Sequence, residues 1–296
     1  MPVWIPVTLA AATFQILRTA RQHRLRDQLT VFEAGYVRFI YGFPFAVFFA
    51  ALTWLVRGSL PTPPPSFWLF VTSGGVSQIL GTVALLKSFE LRSFALGNVF
   101  SKTEVVQVAI VSALLLGEPL RPLGWVGAAV CMVGVAWLVA PNGWSEIRAG
   151  ITDRAAGMGA LAGGLFAISA VTIRGGAETM SGPAWPRAIV TLTCMLGIQT
   201  LLNGGMLRAL RNESALTVVS AWRSAWVVGL LSLCGSAGWA FAMTLTNAAK
   251  VRTLGQIELV IGFAVSVLWL RESHSRQEYL ASALVMIGIL VVIAVG

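Results

Sequence analysis

The chain has 296 residues, of which 56% are hydrophobic and 11% are charged, and its net charge is +9. A soluble globular domain has about 25% charged residues, so this composition excludes one and indicates an integral membrane protein surrounded by a lipid bilayer. The basic residues are spread through short loops, a pattern typical of membrane orientation, so we expect no nucleic-acid partner.

Ten apolar segments follow one another along the chain, each about 20 residues long and therefore long enough to span a bilayer. They lie near 3–22, 33–56, 66–86, 95–116, 122–140, 155–174, 183–203, 222–246, 253–270 and 277–295. The N-terminus lacks the charged region of a signal peptide, so we expect it to be the first span. We predict an all-α integral membrane fold of ten transmembrane helices, with a kink at Pro44.

The cysteines and the short motifs indicate no catalytic or metal chemistry. Cys131, Cys194 and Cys234 fall inside predicted spans without CxxC spacing, so neither a disulfide framework nor a metal site is indicated. The sequence contains no HExxH or GxSxG motif and no paired aspartates within the spans. We therefore expect no cofactor and no enzymatic activity.

The second half of the chain repeats the first. A shift of 154 residues places Glu104 on Glu258, and a shift of 149 residues places Arg38 on Arg187. Five spans precede the seam and five follow it. Because five is odd, we predict that the second copy enters the membrane from the opposite side. Inverted repeats of this kind are common in secondary transporters, which bind their substrate at the interface of the repeats.

The duplication predicts three parts of the chain. Residues 1–140 form a first five-helix repeat, residues 141–154 form a connecting loop, and residues 155–296 form a second, inverted repeat. Each half supplies the partner that an unduplicated copy would need from another chain. This favours a functional monomer and leaves a homodimer open.

The segments that close the two repeats resemble those of a known family. "LLLGEPLRPLGWVGAAVCMVGV" closes the first repeat and "LWLRESHSRQEYLASALVMIGI" closes the second. Together with the two five-helix halves, they resemble the EamA-type transporters of the drug/metabolite transporter superfamily. The most specific element is the loop from Gly117 to Leu120, of which the second copy keeps only Glu272. The resemblance implies movement of small metabolites, often amino acids or amines, across the bacterial inner membrane, and it does not fix the substrate.

Charges inside the predicted spans are the first candidates for a functional site, because buried ionisable groups in membranes face an interior, a partner or a water-filled cavity. Lys102 and Glu104 are two residues apart, about 200° around a helix, so at least one of them must find its partner on another helix. Glu104 and Glu258 form the repeat-related pair. They either form a substrate-cation or proton site, or pin the repeats together through neighbouring helices.

Other polar and aromatic residues share the spans with these charges. Arg38 and Arg187 are suited to a bidentate grip on a carboxylate or phosphate, although arginines near helix ends also reach out to lipid headgroups. Gln15 and Arg18 lie on a polar stripe of the first span, and Tyr41 shares the face of Arg38. The full set of candidate cavity-lining residues is Glu104, Glu258, Arg38, Lys102, Arg18, Gln15, Gln78, Tyr41, Arg187 and Trp239.

Two functions remain open from the sequence. The first is a secondary transporter that moves a small polar or zwitterionic metabolite by alternating access. The alternative is a flippase for a lipid or a lipid-linked headgroup. The loop charges place both termini outside the cytoplasm, whereas relatives of this fold generally have them inside, so the two indications of orientation disagree.

Overall fold

The computed structural model of the protein describes residues 1–23, 25, 29–91, 94–140, 145, 148, 152–211, 215–265, 267 and 275–295. Over these residues the regular secondary structure is entirely helical, which confirms the predicted all-α class. The helices are α1 (Trp4–His23), α2 (Val31–Ile40), α3 (Gly42–Arg57), α4 (Pro65–Leu91), α5 (Phe94–Ser101), α6 (Glu104–Leu116), α7 (Pro122–Val139), α8 (Arg154–Glu178), α9 (Ala184–Arg211), α10 (Ala215–Ser220), α11 (Trp222–Leu245), α12 (Ala248–Gly255), α13 (Ile257–Val265) and α14 (Arg276–Val295).

Eight helical stretches within the described ranges are long and apolar enough to cross a membrane. They are Glu33–Arg57, Pro65–Phe89, Gly97–Leu116, Pro122–Val139, Arg154–Glu178, Ala184–Ala209, Trp222–Leu245 and Arg276–Val295. Each coincides with one of the ten predicted spans.

The remaining two predicted spans differ from these eight for physical reasons. The span near 3–22 is α1, which is helical over 20 residues but carries Gln15 and Arg18 among its apolar residues. The span near 253–270 is interrupted at Gln256, and its second half lies partly outside the described residues. The count of ten spans therefore stays a prediction. Glu272 and most of the 141–154 loop also lie outside the described residues.

The predicted kink in the second span is a break between two helices. α2 ends at Ile40 and α3 begins at Gly42. A proline ring collides with the carbonyl of the residue four positions earlier, and for Pro44 that residue is Ile40. The proline two positions into α3 therefore accounts for where α2 ends.

Two further breaks occur at equivalent positions of the two repeats. Lys102 and Thr103 separate α5 from α6, and Gln256 separates α12 from α13. The shift of 154 residues carries α5 onto α12 over its whole length. It also carries Lys102 onto Gln256. The interruption is thus a property of both repeats, and no proline lies at either break.

The chain folds into two compact units. The first unit comprises Met1–Val76 and Thr172–Leu245, and the second comprises Ser77–Val171 and Thr246–Gly296. Each unit therefore takes helices from both sequence repeats.

In the first unit, α1 packs along α11, and α2 and α3 pack on α9. The hydroxyl of Tyr36 donates to the carbonyl oxygen of Thr200 at 3.1 Å, and the indole N–H of Trp185 donates to the hydroxyl oxygen of Thr53 at 3.0 Å. Residue numbers rise along α2–α3 as they fall along α9, so these helices run antiparallel. The apolar side chains between the two bonds, such as Val37, form the buried core.

In the second unit, the repeat-related helices α7 and α14 pack against each other at backbone distance. A Cβ atom built on Gly134 would lie 2.7 Å from the nitrogen of Val285, and a Cβ built on Gly288 would lie 2.6 Å from the carbonyl oxygen of Gly127. The contacts run in opposite directions along the two helices. Equivalent helices therefore meet antiparallel, which is the relation that an inverted repeat requires.

This close approach predicts which glycines resist substitution. Gly288→Val places two methyl groups where α7 backbone already lies, so we expect the free energy of unfolding to fall by about 1–3 kcal/mol or more. Gly157→Ala is the control, because no atom lies within 4 Å of its added Cβ and alanine favours helix by up to about 1 kcal/mol. Thermal unfolding in one detergent compares the two. A Gly288→Val protein that melts with the parent would contradict this packing.

Candidate functional site

Two ion pairs lie at the helix breaks of the second unit. Lys102 Nζ lies 3.3 Å from Glu258 Oε1, and Arg252 Nε donates to Glu104 Oε1 at 2.7 Å. The Glu104 side chain is 7% exposed and the other three are between 17% and 20% exposed. Each pair joins one repeat to the other, and we refer to them as the crossed ion pairs. Lys102 and Glu104 thus both find partners on other helices.

The local sequence places each of these charges at the helix end that favours its sign. Glu104 is the first residue of α6, and Glu258 lies in the first turn of α13. Helix N-termini carry partial positive charge and stabilise carboxylates. Arg252 lies in the last turn of α12 and Lys102 directly follows α5, where helix C-termini stabilise cations. The breaks therefore lower the cost of burying four charges.

The crossed ion pairs are related by the duplication but are not copies of each other. The shift of 154 residues carries Lys102 onto Gln256, and Asn98 onto Arg252. Each repeat therefore supplies one cation and one amide, one helical turn apart, but in opposite order. Both acids are conserved between the copies, so the cluster contains two positive and two negative charges. A cluster without net charge is the least costly arrangement in a low-dielectric interior.

Helix α8 covers the break in the first repeat. The side-chain amide of Gln107 donates to the hydroxyl oxygen of Thr103 at 3.0 Å and to the carbonyl oxygen of Ala160 at 3.2 Å. A Cβ atom built on Gly163 would lie 2.7 Å from the carbonyl oxygen of Ser101. These contacts tie the α5–α6 break to α8.

Gln15 and Trp239, two of the predicted site residues, contact each other in the first unit. The indole N–H of Trp239 donates to Gln15 Oε1 at 3.2 Å, and Trp239 is 7% exposed. This bond joins α1 to α11. The indole therefore lies between two helices, and its N–H group is hydrogen-bonded within the protein.

Arg18 on α1 and Arg38 on α2 both belong to the first unit. The guanidinium carbon of Arg38 also lies 4.8 Å from the centroid of the Phe39 ring.

Arg187 and Tyr41 hold helix ends together. Arg187 Nη1 donates to the carbonyl oxygen of Ala177 in the last turn of α8, at 3.3 Å. The Tyr41 hydroxyl lies 3.1 Å and 3.0 Å from the carbonyl oxygens of Val218 and Val219 on α10. Gln78, the remaining candidate, lies on α4 in the second unit.

A cavity of about 320 Å³ lies among α1, α3, α9 and α11 of the first unit. Its lining is apolar and rich in aromatic rings. The residues are Val7, Ala10, Ala11, Phe14, Phe49, Trp185, Leu233, Cys234, Ala237, Gly238 and Phe241. The rings of Trp185 and Phe241 meet edge to face with centroids 5.6 Å apart. We refer to this space as the aromatic cavity.

A second cavity of about 340 Å³ shares Phe49 and Trp185 with the aromatic cavity and reaches Arg57 at the end of α3. Among the residues that the structure describes, no group of three or more His, Cys, Asp or Glu is placed to hold a metal ion. The described chemistry is therefore that of paired charges in one unit and, in the other, two apolar cavities, one of which reaches Arg57.

Comparison with known proteins identifies the family. The sequence model of the EamA-like transporter family matches residues 3–140 and 154–294. The chain belongs to the EamA-like transporter family. It is therefore a multi-pass membrane protein of the drug/metabolite transporter superfamily, which confirms the resemblance seen in the sequence.

A solved structure supports the fold of this EamA-like chain. It is titled only "Crystal structure of protein", is 17% identical, and superposes with a TM-score of 0.71 over 99% of this chain and 97% of the other. Identity this low supports the fold alone. A search of curated proteins gave no match.

Within this EamA-like transporter, sequence reasoning missed Arg252 as a member of the site. The predicted ninth span begins at residue 253, whereas α12 begins at Ala248, so Arg252 was assigned to a loop. The duplication gave no signal for it, because Arg252 aligns with Asn98, an uncharged amide. The aromatic cavity was also missed, since its rings come from four helices that are distant in sequence.

The crossed ion pairs predict energetic coupling between Glu104 and Arg252. Each single variant, Glu104→Gln or Arg252→Gln, leaves one buried charge unpaired, and we expect each to lower the free energy of unfolding by about 3–5 kcal/mol. The double variant removes both charges and should cost clearly less than the sum. Denaturation in mild detergent measures the cycle, and Lys87→Gln on the exposed face of α4 is the neutral control. Strictly additive losses would mean that the pair contributes no coupling energy.

Proposed function

We propose that the protein is a secondary transporter that moves a small polar or zwitterionic metabolite, of the amino acid or amine class, by alternating access. The observation that carries this proposal is the pair of broken helices at equivalent positions of the two repeats, with their charges paired crosswise. Discontinuous helices in inverted repeats are where secondary transporters place substrate and coupling groups.

The crossed ion pairs suit a protein that alternates between two conformations. In a transporter built from inverted repeats, exchanging the conformations of the repeats produces the opposite-facing state. If the repeats exchange conformations, Glu104 leaves Arg252 and faces Gln256. Glu258 likewise leaves Lys102 and faces Asn98. The exchange thus separates both cations from the acids they contact here. The conformation described here is favoured by two ion pairs that the exchanged state lacks.

The difference of two ion pairs between the two states sets an energetic requirement for substrate binding. A ligand shifts a conformational equilibrium only by the difference in its affinity for the two states. A substrate that supplies negative charge to the released cations would offset the loss of the crossed ion pairs. We infer that a carboxylate-bearing metabolite, such as a zwitterion, fits this requirement better than a pure cation.

Transport by purified protein in liposomes tests the proposal. Liposomes preloaded with a mixture of amino acids and amines should accumulate the labelled members of that mixture faster than protein-free liposomes. A parallel assay measures how fast a fluorescent phospholipid becomes accessible to an external quencher. Lipid exchange without accumulation of any soluble compound would replace the metabolite transporter with the flippase alternative.

Lys102→Gln tests the role of the crossed ion pairs in transport. It gives position 102 the amide that the second repeat carries at Gln256, and it removes one ion pair from the described state. We expect the transport rate to change by about ten-fold or more, which corresponds to about 1.4 kcal/mol. Lys87→Gln should transport at the parent rate. Transport at the parent rate in Lys102→Gln would contradict a role for this ion pair in the transport cycle.

A further inference from the structure

The second cavity of the first unit is a groove along one face of α3. Its lining on that helix follows the i, i+3, i+4, i+7 and i+8 spacing of a single helix face, and α9 completes it. The lining residues are Phe49, Leu52, Thr53, Val56, Arg57 and Trp185. We refer to this space, of about 340 Å³, as the α3 groove.

The α3 groove opens to the hydrocarbon of the bilayer. Leu52 and Val56 of its lining are exposed, and they belong to the membrane-crossing stretch Glu33–Arg57. Exposed apolar side chains in such a stretch are in contact with lipid tails, which are as apolar as leucine. A lipid chain can therefore reach this groove without leaving the bilayer.

Two exposed tryptophans place one end of the groove at the membrane surface. They are Trp54 of α3 and Trp68 in the first turn of α4, and tryptophan is enriched at membrane–water interfaces. Arg57 is the last residue of α3, three positions after Trp54. Arg57 therefore lies at the depth of the lipid headgroups, whereas Phe49 lies about 12 Å deeper along the helix.

The polar side chains below Arg57 use their donors within the protein. The hydroxyl of Thr53 donates to the carbonyl oxygen of Phe49 at 2.7 Å, and it accepts the indole N–H of Trp185 at 3.0 Å. The rest of this lining is apolar. The groove thus offers a ligand apolar surface with no free side-chain donor below Arg57, which suits a hydrocarbon chain and disfavours a polar solute.

Arg57 is the cation left for a ligand at this end of the first unit. The hydroxyl–indole bond places the end of α3 beside the start of α9, where Arg187 donates to the carbonyl oxygen of Ala177 on α8. Arg174 of α8 pairs with Glu178 at 2.7 Å. Arg57 forms no hydrogen bond or ion pair with another described residue, so its guanidinium is available to an anion.

The other acidic residues of the first unit belong to segments at its opposite end. Glu33 is in the first turn of α2, and Glu33–Arg57 crosses the membrane as one stretch. Asp27 and Glu213 lie outside the described residues, in segments that adjoin the start of α2 and the end of α9. Because α9 runs antiparallel to α2 and α3, both of those helix ends are opposite to Arg57.

We propose that the α3 groove binds an anionic phospholipid of the surrounding bilayer, with its phosphate on Arg57 and one acyl chain along α3 as far as Phe49. A guanidinium matches phosphate in charge and in geometry. Phe49 and Trp185 also line the aromatic cavity, so the acyl chain lies against a wall of that cavity. The lipid site goes beyond the proposed transport function and does not depend on it.

Three probes test the two ends of the site on the full chain in detergent. Dioleoyl phosphatidylglycerol and dioleoyl phosphatidylcholine share their acyl chains and differ in net charge, and glycerol phosphate has the anion without the chains. We expect phosphatidylglycerol to bind about five-fold or more tightly than phosphatidylcholine, and glycerol phosphate to leave the melting temperature unchanged. Equal binding of the two lipids overturns the proposal, as does stabilisation by glycerol phosphate.

A matched pair of arginine variants tests the headgroup end. Arg57→Gln should weaken phosphatidylglycerol binding by about five-fold, to the level of phosphatidylcholine. Arg223→Gln, on an exposed arginine that stacks on Trp222 at the start of α11, should bind as the parent does. Equal losses in both variants would reflect the overall charge of the protein and overturn the site.

A second matched pair tests the acyl-chain end. Val56→Trp places an indole in the α3 groove, whereas Leu55→Trp places it on the neighbouring exposed position, outside the lining. Both side chains are exposed, so both variants should fold. We expect Val56→Trp to weaken phosphatidylglycerol binding by about five-fold or more and Leu55→Trp to leave it unchanged. Equal affinities in the two variants overturn the proposal.

A phosphatidylglycerol with a diazirine in its acyl chain locates the lipid in liposomes. We expect labelling of residues 49–57 to saturate as the mole fraction of the labelled lipid rises. Ile287 and Leu290, exposed on α14, form the control surface, where labelling should rise in proportion to that mole fraction. Peptide mass spectrometry separates the two regions. Proportional labelling on α3 as well would make the contact ordinary annular lipid and overturn the site.

The outcomes separate the lipid site from the proposed function. Saturable labelling of α3 in liposomes that accumulate no solute keeps the site and overturns transport. Solute accumulation with proportional labelling everywhere keeps the transporter and overturns the site.

Discussion

Pairing of charges within an apolar interior governs the second unit of this protein. A charged side chain at the centre of a bilayer costs a few kcal/mol or more, so four of them persist only where each is satisfied. The helix breaks meet that requirement, because they place acids at helix N-termini and cations at helix C-termini. The crossed ion pairs then join one sequence repeat to the other. Substitution of one residue of an ion pair leaves the charge of the other uncompensated, whereas substitution of both residues does not.

In the first unit, apolar side chains pack around a cavity. Aromatic rings from α1, α3, α9 and α11 line the cavity. The neutral charge cluster and the apolar cavity are distinct environments.

Much of the fold could be predicted because membrane helices and duplications leave strong patterns. Apolar segments of span length located eight helical stretches, and Pro44 indicated the end of α2. The duplication predicted that Glu104 and Glu258 are equivalent. It did not reveal that their cations lie one turn apart in the two copies, because Arg252 aligns with an amide. The breaks near Lys102 and Gln256 contain no proline, so no local signal marked them. The cavity depends on rings that only tertiary packing brings together.

The mixing of repeats within each compact unit has a consequence for biosynthesis. α1 packs along α11, and α7 packs along α14, so the earliest helices meet their partners only after most of the chain has been inserted. Lys102 and Glu104 likewise remain without Glu258 and Arg252 until the second repeat has been inserted. Long sequence separations of this kind slow folding, because loop-closure entropy is lost before the contacts form. The nascent first half therefore passes through a period with unpaired charges and exposed glycine faces, when it is most open to mispairing or to capture by insertion chaperones.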